Sequence, residues 1–312
     1  MKIVQRLIGT AKLFLGTSGL MIVAMSAQAQ VPGGRAATMP GMHVYIWAGL
    51  KTHGPGQHDY PQFLADWSKV LTDKGAAVDG SLHPPSAADL EHTDVVVVYK
   101  GDVELYMSPQ QKSDLEAYVK RGGGLVSLHD SLCGGDPAWV ASLFGGAKKH
   151  GETNYTLDAP IPLTVVDKAS PIMKDFPAEL TLPDDESFYL MTWAKDPIHV
   201  LANTKTADTP SAHLGTGHVG EVVPQIWSYE HTLPGGKPAR AFVYMEGHTY
   251  ANFDKPEIKN LLLRGIAWAA NKPVEELVAY VPQPGGRGGR GGSGRGGGRG
   301  GSGGGARGPA AQ

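Results

Sequence analysis

Histidines follow three strongly apolar, strand-like runs of this chain. The runs and the histidines after them are 43–50 with His53 and His58, 124–128 with His129, and 239–247 with His248. Imidazole titrates near neutral pH and is a common metal ligand, so these residues suit either acid–base chemistry or metal binding. Either use requires the fold to bring them together.

The elements around these histidines predict such a convergence. The pattern predicts strands over 43–49, 76–82, 94–99 and 125–128, a helix opening at Asp59, and a helix opening at a Ser108–Gln111 capping box. Alternating strands and helices are typical of a doubly wound α/β fold. In such a sheet, the loops that leave the carboxyl ends of the parallel strands share one edge. We therefore expect the histidines to line one crevice.

The second half of the domain carries additional β signals. We predict strands over 156–166, 199–203, 225–229 and 241–245, and an acidic turn at 184–189 that enters an aromatic strand. Asp254 and Glu257 have the spacing of a capping box, which predicts a last helix with an apolar inner face.

The segment from His53 to His58 contains two histidines separated by glycine and proline. Glycine and proline favour a tight irregular loop, in which both rings can face one ligand. The spacing lacks the helical i, i+4 geometry of a metalloprotease pair, and it is equally compatible with a solvated surface turn.

His129 and Asp130 occupy the strand-to-turn position where α/β hydrolases place a nucleophile. Neither Ser131 nor Cys133 has the Gly-x-Ser-x-Gly context, so a serine or cysteine hydrolase is disfavoured. Cys133, the only cysteine, is predicted to be a buried small hydrophobe, and it excludes an intramolecular disulfide.

Glu186 and His248 would add a carboxylate and a further imidazole to the same crevice. Together with His129 they could act as general acid and base, or they could ligate a divalent metal. The alternative is structural: Glu186 would cap a loop, and His248 would be a hydrogen-bonded core histidine.

The two ends of the chain differ in composition from the middle. Residues 1–29 have a basic start, a short apolar stretch and an Ala-x-Ala site, as in a cleaved export signal. Residues 283–312 are mostly glycine with five arginines, a composition that predicts disorder.

The predicted domain, 30–282, is acidic. Of the 28 basic residues of the chain, three lie in the leader and five in the tail, so the domain carries 20 basic residues and all 30 acidic residues. A charge of about −10 argues against nucleic acid as a partner of this domain.

Several segments together resemble the ThuA-like family, the trehalose-utilisation proteins, over residues 43–271. The segments that carry the resemblance are 53–60, 122–129, 185–189, 224–227, 247–248 and 261–270. The resemblance implies a class I glutamine-amidotransferase-like fold, with a flavodoxin-like, mostly parallel sheet and additional β-strands in the middle of the chain. It also implies a link to sugar catabolism, notably of disaccharides and their 3-keto derivatives. The amidotransferase cysteine is lacking, so the chain is not expected to be a glutamine amidotransferase.

The leading hypothesis is a periplasmic or secreted enzyme that acts on a small-molecule carbohydrate by hydrolysis, elimination or isomerisation. Its catalytic residues would be His129, Glu186 and His248, and its substrate-binding residues His53, His58, Asp130 and Gly247. The candidate ligands for a divalent metal are His53, His58, His129 and His248. After signal cleavage no membrane span is expected. The alternative is a carbohydrate-binding or scaffold protein that keeps the crevice and performs no chemistry.

Overall fold

The computed structural model describes residues 41–149, 151–152, 154–208 and 218–282. The predicted signal at 1–29 and the predicted tail at 283–312 lie outside the described residues. Within the described part, none of the helices has the length and apolar character that crossing a membrane would need.

Twelve strands and five α-helices make up the described part of the chain. The strands are β1 (His43–Ala48), β2 (Ala77–Ser81), β3 (Val95–Tyr99), β4 (Gly124–Leu128), β5 (Cys133–Gly134), β6 (Gly146–Lys149), β7 (Tyr155–Val165), β8 (Glu179–Phe188), β9 (Thr192–Trp193), β10 (His199–Lys205), β11 (Val222–His231) and β12 (Ala239–Tyr244). The helices are α1 (Tyr60–Asp73), α2 (Ala87–Glu91), α3 (Pro109–Lys120), α4 (Pro137–Phe144) and α5 (Pro256–Ala269).

Nine strands form one sheet in the order β2-β1-β3-β4-β12-β11-β10-β7-β8. The first five are parallel, with pairings from β2 through β12. The last four join antiparallel. The order β2-β1-β3-β4 is that of flavodoxin-like folds. The predicted α/β class is thus confirmed, including the additional strands contributed by the middle of the chain.

The central parallel strands are buried on both faces, which explains their unbroken apolar sequence. Every residue of β3 and of β4 is buried. The last helix packs closely against this sheet. A Cβ at Gly265 would lie 2.3 Å from the Phe242 ring, and one at Gly124 would lie 2.1 Å from the Ala269 carbonyl oxygen. Glycine at these two positions therefore allows α5 to approach the strands that carry the site.

Two local predictions are wrong. The segment 184–189 is not a turn: most of it is the end of β8, where Asp185 pairs with Ala159 of β7. The capping box at Asp254 does not form. Residues 250–254 make a turn of 3-10 helix, and Lys255 is the N-cap of α5 without a side-chain hydrogen bond. The Ser108 capping box is confirmed, since the Ser108 hydroxyl accepts from the Gln111 amide.

His231, the last residue of β11, makes the stability of the fold dependent on pH. Its side chain is 5% exposed and stacks on the Tyr229 ring at 4.4 Å. Burial lowers the pKa of His231 to about 4. Below pH 6.5 the unfolded chain therefore binds a proton that the folded chain excludes, and stability falls as the pH drops toward 4. Between pH 7 and pH 5, His231 should cost the fold about 2 kcal/mol of unfolding free energy.

The measurement is urea unfolding at pH 7 and pH 5 for the wild-type protein and His231→Phe. Phenylalanine keeps the stacked ring and cannot bind the proton, so this variant should lose less stability between the two pH values. Equal losses in the two proteins would contradict this account of His231.

Candidate active site

Four buried side chains from four separate parts of the chain meet at the carboxyl-end edge of the parallel strands. His129 directly follows β4, His248 follows its neighbour β12, His58 lies in the loop after β1, and Glu186 is in β8. Each offers one nitrogen or oxygen, and these four atoms all lie within 4.8 Å of one another. We call this set the histidine–glutamate cluster. The predicted convergence of strand-end histidines with Glu186 is present in the structure.

The four ligand atoms form a closed ring of short contacts. Nε2 of His58 lies 3.0 Å from Nε2 of His129 and 2.9 Å from Nδ1 of His248. One carboxylate oxygen of Glu186 lies 3.2 Å from each of the same two nitrogens of His129 and His248. All four atoms therefore face one shared point.

The backbone is strained where it presents the histidines. His53, His58 and His129 have φ values of 62°, 45° and 53°, in the left-handed region that residues other than glycine seldom occupy. Each such residue costs on the order of 1–3 kcal/mol, and such strain is concentrated at functional sites. At His129 the left-handed conformation follows β4 directly, so this histidine occupies the elbow at which hydrolases carry a nucleophile.

Hydrogen bonds on the far side of the His129 and His58 rings fix the orientation of these two rings. Nδ1 of His129 donates to the Met245 carbonyl at 3.0 Å, so that Nε2 faces the cluster. Nδ1 of His58 lies 3.1 Å from the Thr52 hydroxyl, and the His58 amide donates to the His248 carbonyl at 3.0 Å. Such bonds to the second ring nitrogen are the usual support of metal-binding histidines.

Asp185 connects the elements that carry Glu186 and His248. One of its carboxylate oxygens accepts from the amides of Glu186, Gly247 and His248 at 2.9 to 3.0 Å. The other accepts from the Asn252 amide group at 2.7 Å. The carboxylate is fully buried. Asp185 thus positions two members of the cluster without facing it.

Burial and the neighbouring charges shift the pKa values of three side chains in the cluster. Burial lowers the pKa of His129, but the Asp130 and Glu186 carboxylates outweigh it and raise the value to about 9. Burial raises the pKa of Glu186, and hydrogen bonds from His129 and His248 outweigh it and lower the value to about 2. Burial and the neighbouring histidines hold the pKa of His58 well below its usual range. With no cation bound, His129 and Glu186 therefore form a charged pair at neutral pH.

The other predicted site residues lie around the cluster. Asp130 is 22% exposed, and its two oxygens lie 3.6 Å from Nε2 of His58 and of His129. His53 is exposed and stacks edge-on against His58 at 4.0 Å, outside the cluster. Gly247 is buried, and a Cβ there would lie 3.2 Å from Cβ of His129. The backbone of Gly247 thus lies close to His129 at the elbow, in a space that a larger side chain would crowd.

A cavity of about 180 Å³ opens above the cluster. His53, His58, Asp130, Glu186 and His248 line it, together with residues that the sequence did not suggest. The residues that sequence reasoning missed include Asp102, Lys148, Tyr155 and Leu157. None of these four belongs to a motif, so no local pattern could have identified them.

The donors of the cluster suit a divalent transition metal. Imidazole and carboxylate together favour ions such as zinc, nickel, iron or manganese over the all-oxygen sites of calcium and magnesium. A tetrahedral ion with bonds of about 2.1 Å needs ligand atoms roughly 3.4 Å apart. The contacts of 2.9 to 3.2 Å in the ring are close to that spacing. A metal bound by the cluster would displace the proton that His129 holds at neutral pH.

Asp185→Asn should weaken both the fold and the cluster. An asparagine side chain presents an NH2 group either to the Asn252 amide group or to the three backbone amides, so at least one buried donor loses its acceptor. We expect a loss of about 1–3 kcal/mol of unfolding free energy in metal-free protein. Zinc affinity should fall about 10- to 100-fold.

Denaturant unfolding and zinc titration measure the two effects. The matched control is Asp79→Asn, which replaces an exposed carboxylate in β2. If Asp185→Asn bound zinc as tightly as the control, Asp185 would not position the cluster.

The parallel sheet with its histidine-bearing elbow defines a class: α/β proteins with the glutamine-amidotransferase-like fold, without a cysteine nucleophile at the elbow. The sequence matches the ThuA family, described as trehalose utilisation, over residues 44–269. The chain belongs to the ThuA family.

Solved structures support the fold. A ThuA-like protein from Parabacteroides merdae is similar with a TM-score of 0.57 and 18% identity, over 74% of this chain and 91% of the other. A ThuA-like protein from Bacteroides uniformis gives a TM-score of 0.53 and 18% identity, over 77% and 95%. No curated protein sequence matches. Family membership implies a carbohydrate-related role.

Proposed function

We propose that this protein is an exported enzyme that converts a sugar or a 3-keto-sugar at the histidine–glutamate cluster, with a divalent metal held by the cluster. The observation that carries the proposal is the convergence of four buried ligand atoms within 4.8 Å of one another, at a cavity. Buried polar groups in a strained, pre-organised arrangement are costly to a fold, and such arrangements are typical of functional sites.

Under this proposal the residues of the site have two roles, metal binding and proton transfer. His58, His129, Glu186 and His248 hold the metal, which when bound supplies a Lewis acid for a substrate oxygen or a bound water. Asp130 is more exposed than the cluster and lies beside two of its nitrogens. It is therefore placed to take a proton from the substrate or from water.

His53 completes the rim of the cavity. Its ring is exposed and rests on His58, so it can meet the substrate before the buried groups do. Removing a proton beside a keto group is common to elimination and isomerisation, and activating water is what hydrolysis requires. The same arrangement serves each of these reactions.

The size of the cavity supports a small substrate. About 180 Å³ is below the roughly 300–1,000 Å³ of pockets for drug-sized ligands, so it suits one sugar unit at a time. A disaccharide would place its second unit outside, near His53.

A product screen tests the function. Zinc-, nickel- and manganese-loaded protein is incubated with a panel of disaccharides and their 3-keto forms, and products are identified by mass spectrometry and NMR. The proposal predicts a product with at least one substrate, and no product with Asp130→Asn. Tight binding of a sugar with no product after long incubation would favour the non-catalytic carbohydrate-binding protein.

The export proposal rests on the leader sequence at 1–29. Expression of the full chain in a bacterial host should yield a periplasmic protein whose first residue is Gln30. Full-length protein retained in the cytoplasm would contradict it.

A further inference from the structure

Lys148 is a buried cation in the wall of the cavity. It lies in β6, the residue is 8% exposed, and it lines the cavity together with Asp130 and Glu186. Its ammonium lies over two aromatic rings, 5.4 Å from the centre of Tyr155 and 5.3 Å from that of Phe188.

Among the described residues, the contacts of the Lys148 ammonium are with these two rings, and no ion pair within 4.0 Å or hydrogen bond to the protein is seen. Its charge acts on the Asp130 carboxylate from a longer distance. Burying a charge is costly unless it is paired or hydrogen-bonded. Aromatic faces offset part of this cost but do not accept its N–H groups in the way that an oxygen does. An oxygen-bearing ligand in the cavity would supply the missing acceptor.

Lys100 is a second buried lysine, and its ammonium has a hydrogen-bond acceptor on the protein. Its side chain is 9% exposed, nearly the same as that of Lys148. Its ammonium donates to the Gly101 carbonyl at 2.5 Å and lies 3.4 Å from the centre of the Tyr106 ring. Lys100 does not line the cavity. The two lysines differ in whether the protein itself provides an acceptor.

Lys148 is the only lysine or arginine among the described residues that line the cavity. Asp130 and Glu186 are part of its lining, and the predicted domain carries an excess of acidic residues. The cavity thus offers a ligand one ammonium donor beside several carboxylate and imidazole groups. A sugar with one oxidised carbon matches this arrangement, because its carbonyl or carboxylate oxygen accepts from an ammonium more strongly than a hydroxyl does.

We propose that Lys148 binds the carbonyl or carboxylate oxygen of an oxidised sugar, so that the site selects keto-sugars and sugar acids over the corresponding polyols. This inference rests on the proposed function for the identity of the ligand as a sugar. The interaction is a hydrogen bond from the Lys148 ammonium, and no covalent step is involved. Lys148 is thereby a specificity-determining residue.

Two six-carbon ligands test the selection. D-Gluconate and D-glucitol have the same carbon chain and differ in a carboxylate in place of a terminal alcohol. Calorimetric titration of zinc-loaded wild-type protein should show gluconate binding about 10- to 100-fold more tightly than glucitol. Lys148→Met keeps an apolar stem over the two rings and should lose most of this preference, whereas Lys100→Met should keep it.

A second pair of ligands separates a carbonyl from a carboxylate. Methyl 3-keto-α-D-glucopyranoside and methyl α-D-glucopyranoside share a locked ring and differ by a keto group in place of an alcohol. The same loss of preference in Lys148→Met would extend the assignment to keto-sugars. Circular dichroism and melting temperatures verify that both lysine variants are folded. If Lys148→Met failed to fold, Lys148→Gln would be titrated in its place.

The assignment of Lys148 would be overturned if wild-type protein bound glucitol as tightly as gluconate, if it bound neither ligand, or if Lys148→Met kept the full preference. These outcomes are separable from the fate of the proposed enzyme. A Lys148-dependent preference without turnover of any sugar would refute the enzyme and keep the binding role. Turnover by Lys148→Met with an unchanged KM and kcat would refute the role of Lys148 alone.

Discussion

His129→Ala will abolish tight binding of a divalent metal by the folded protein. Wild-type protein purified without chelator should contain about one zinc, nickel, iron or manganese ion per chain. His129 contributes the ligand atom that contacts both His58 and Glu186, at 3.0 and 3.2 Å. Loss of a residue that only hydrogen-bonds to a metal ligand costs about 10- to 100-fold in metal affinity. Loss of His129, which is itself a ligand, should therefore cost at least about 100-fold.

Elemental analysis and zinc titration measure this effect on wild-type protein, His129→Ala and a control. The control is His92→Ala, which removes an exposed histidine just after α2. It should retain the wild-type metal content. Equal metal content in the wild type and in His129→Ala would remove His129 from any metal site.

Glu186→Gln will abolish turnover of the sugar substrate while leaving the protein folded. The amide has the shape of the carboxylate but carries no charge. It therefore cannot supply the one anionic ligand atom of the cluster. It is also a poorer metal ligand. A loss of at least about 100-fold in kcat/KM is expected, because even the loss of a residue that supports a metal ligand costs about 10- to 100-fold in metal affinity or activity.

The measurement compares kcat/KM and the melting temperature of wild-type protein and Glu186→Gln with the substrate found in the product screen. The matched control is Glu91→Gln, which changes an exposed carboxylate at the end of α2. Unchanged activity in Glu186→Gln would exclude Glu186 from the chemistry. Loss of activity together with unfolding would instead indicate a structural role.

The sequence predicts the part of the site that depends on strand topology. His129 and His248 follow strand-like runs, and in an α/β sheet the loops that leave the carboxyl ends of the parallel strands share one edge. The pattern therefore led us to expect their convergence, whereas the direct parallel pairing of β4 with β12 is known only from the structure. The alternation of strand and helix signals was also sufficient to predict the α/β fold class.

The roles of His53 and His58 could not be separated from sequence. Both lie in one glycine- and proline-containing loop, but only His58 is buried in the cluster. The difference depends on a left-handed backbone at each histidine and on the bond from the His58 amide to the His248 carbonyl. A contact between residues 190 positions apart leaves no local signal.

Glu186 was identified for its charge, but its setting was predicted wrongly. An acidic run suggests a turn because carboxylates prefer solvent, whereas here Asp185 and Glu186 are buried at the end of β8. Asp185 can be buried because three backbone amides and Asn252 donate to it. Such compensation by distant donors is invisible to a pattern of charges. The same holds for Lys148, whose place in the cavity follows from the position of β6.

The central claim is that the histidine–glutamate cluster is a metal-dependent catalytic centre for a sugar substrate. The most direct test is to remove bound metal with a chelator, dialyse, and measure kcat for the substrate from the product screen as zinc, nickel or manganese is added back. The account predicts that chelated protein is inactive and that one of these ions restores activity, saturating at about one ion per chain. Full activity of the chelated, metal-free protein would contradict it.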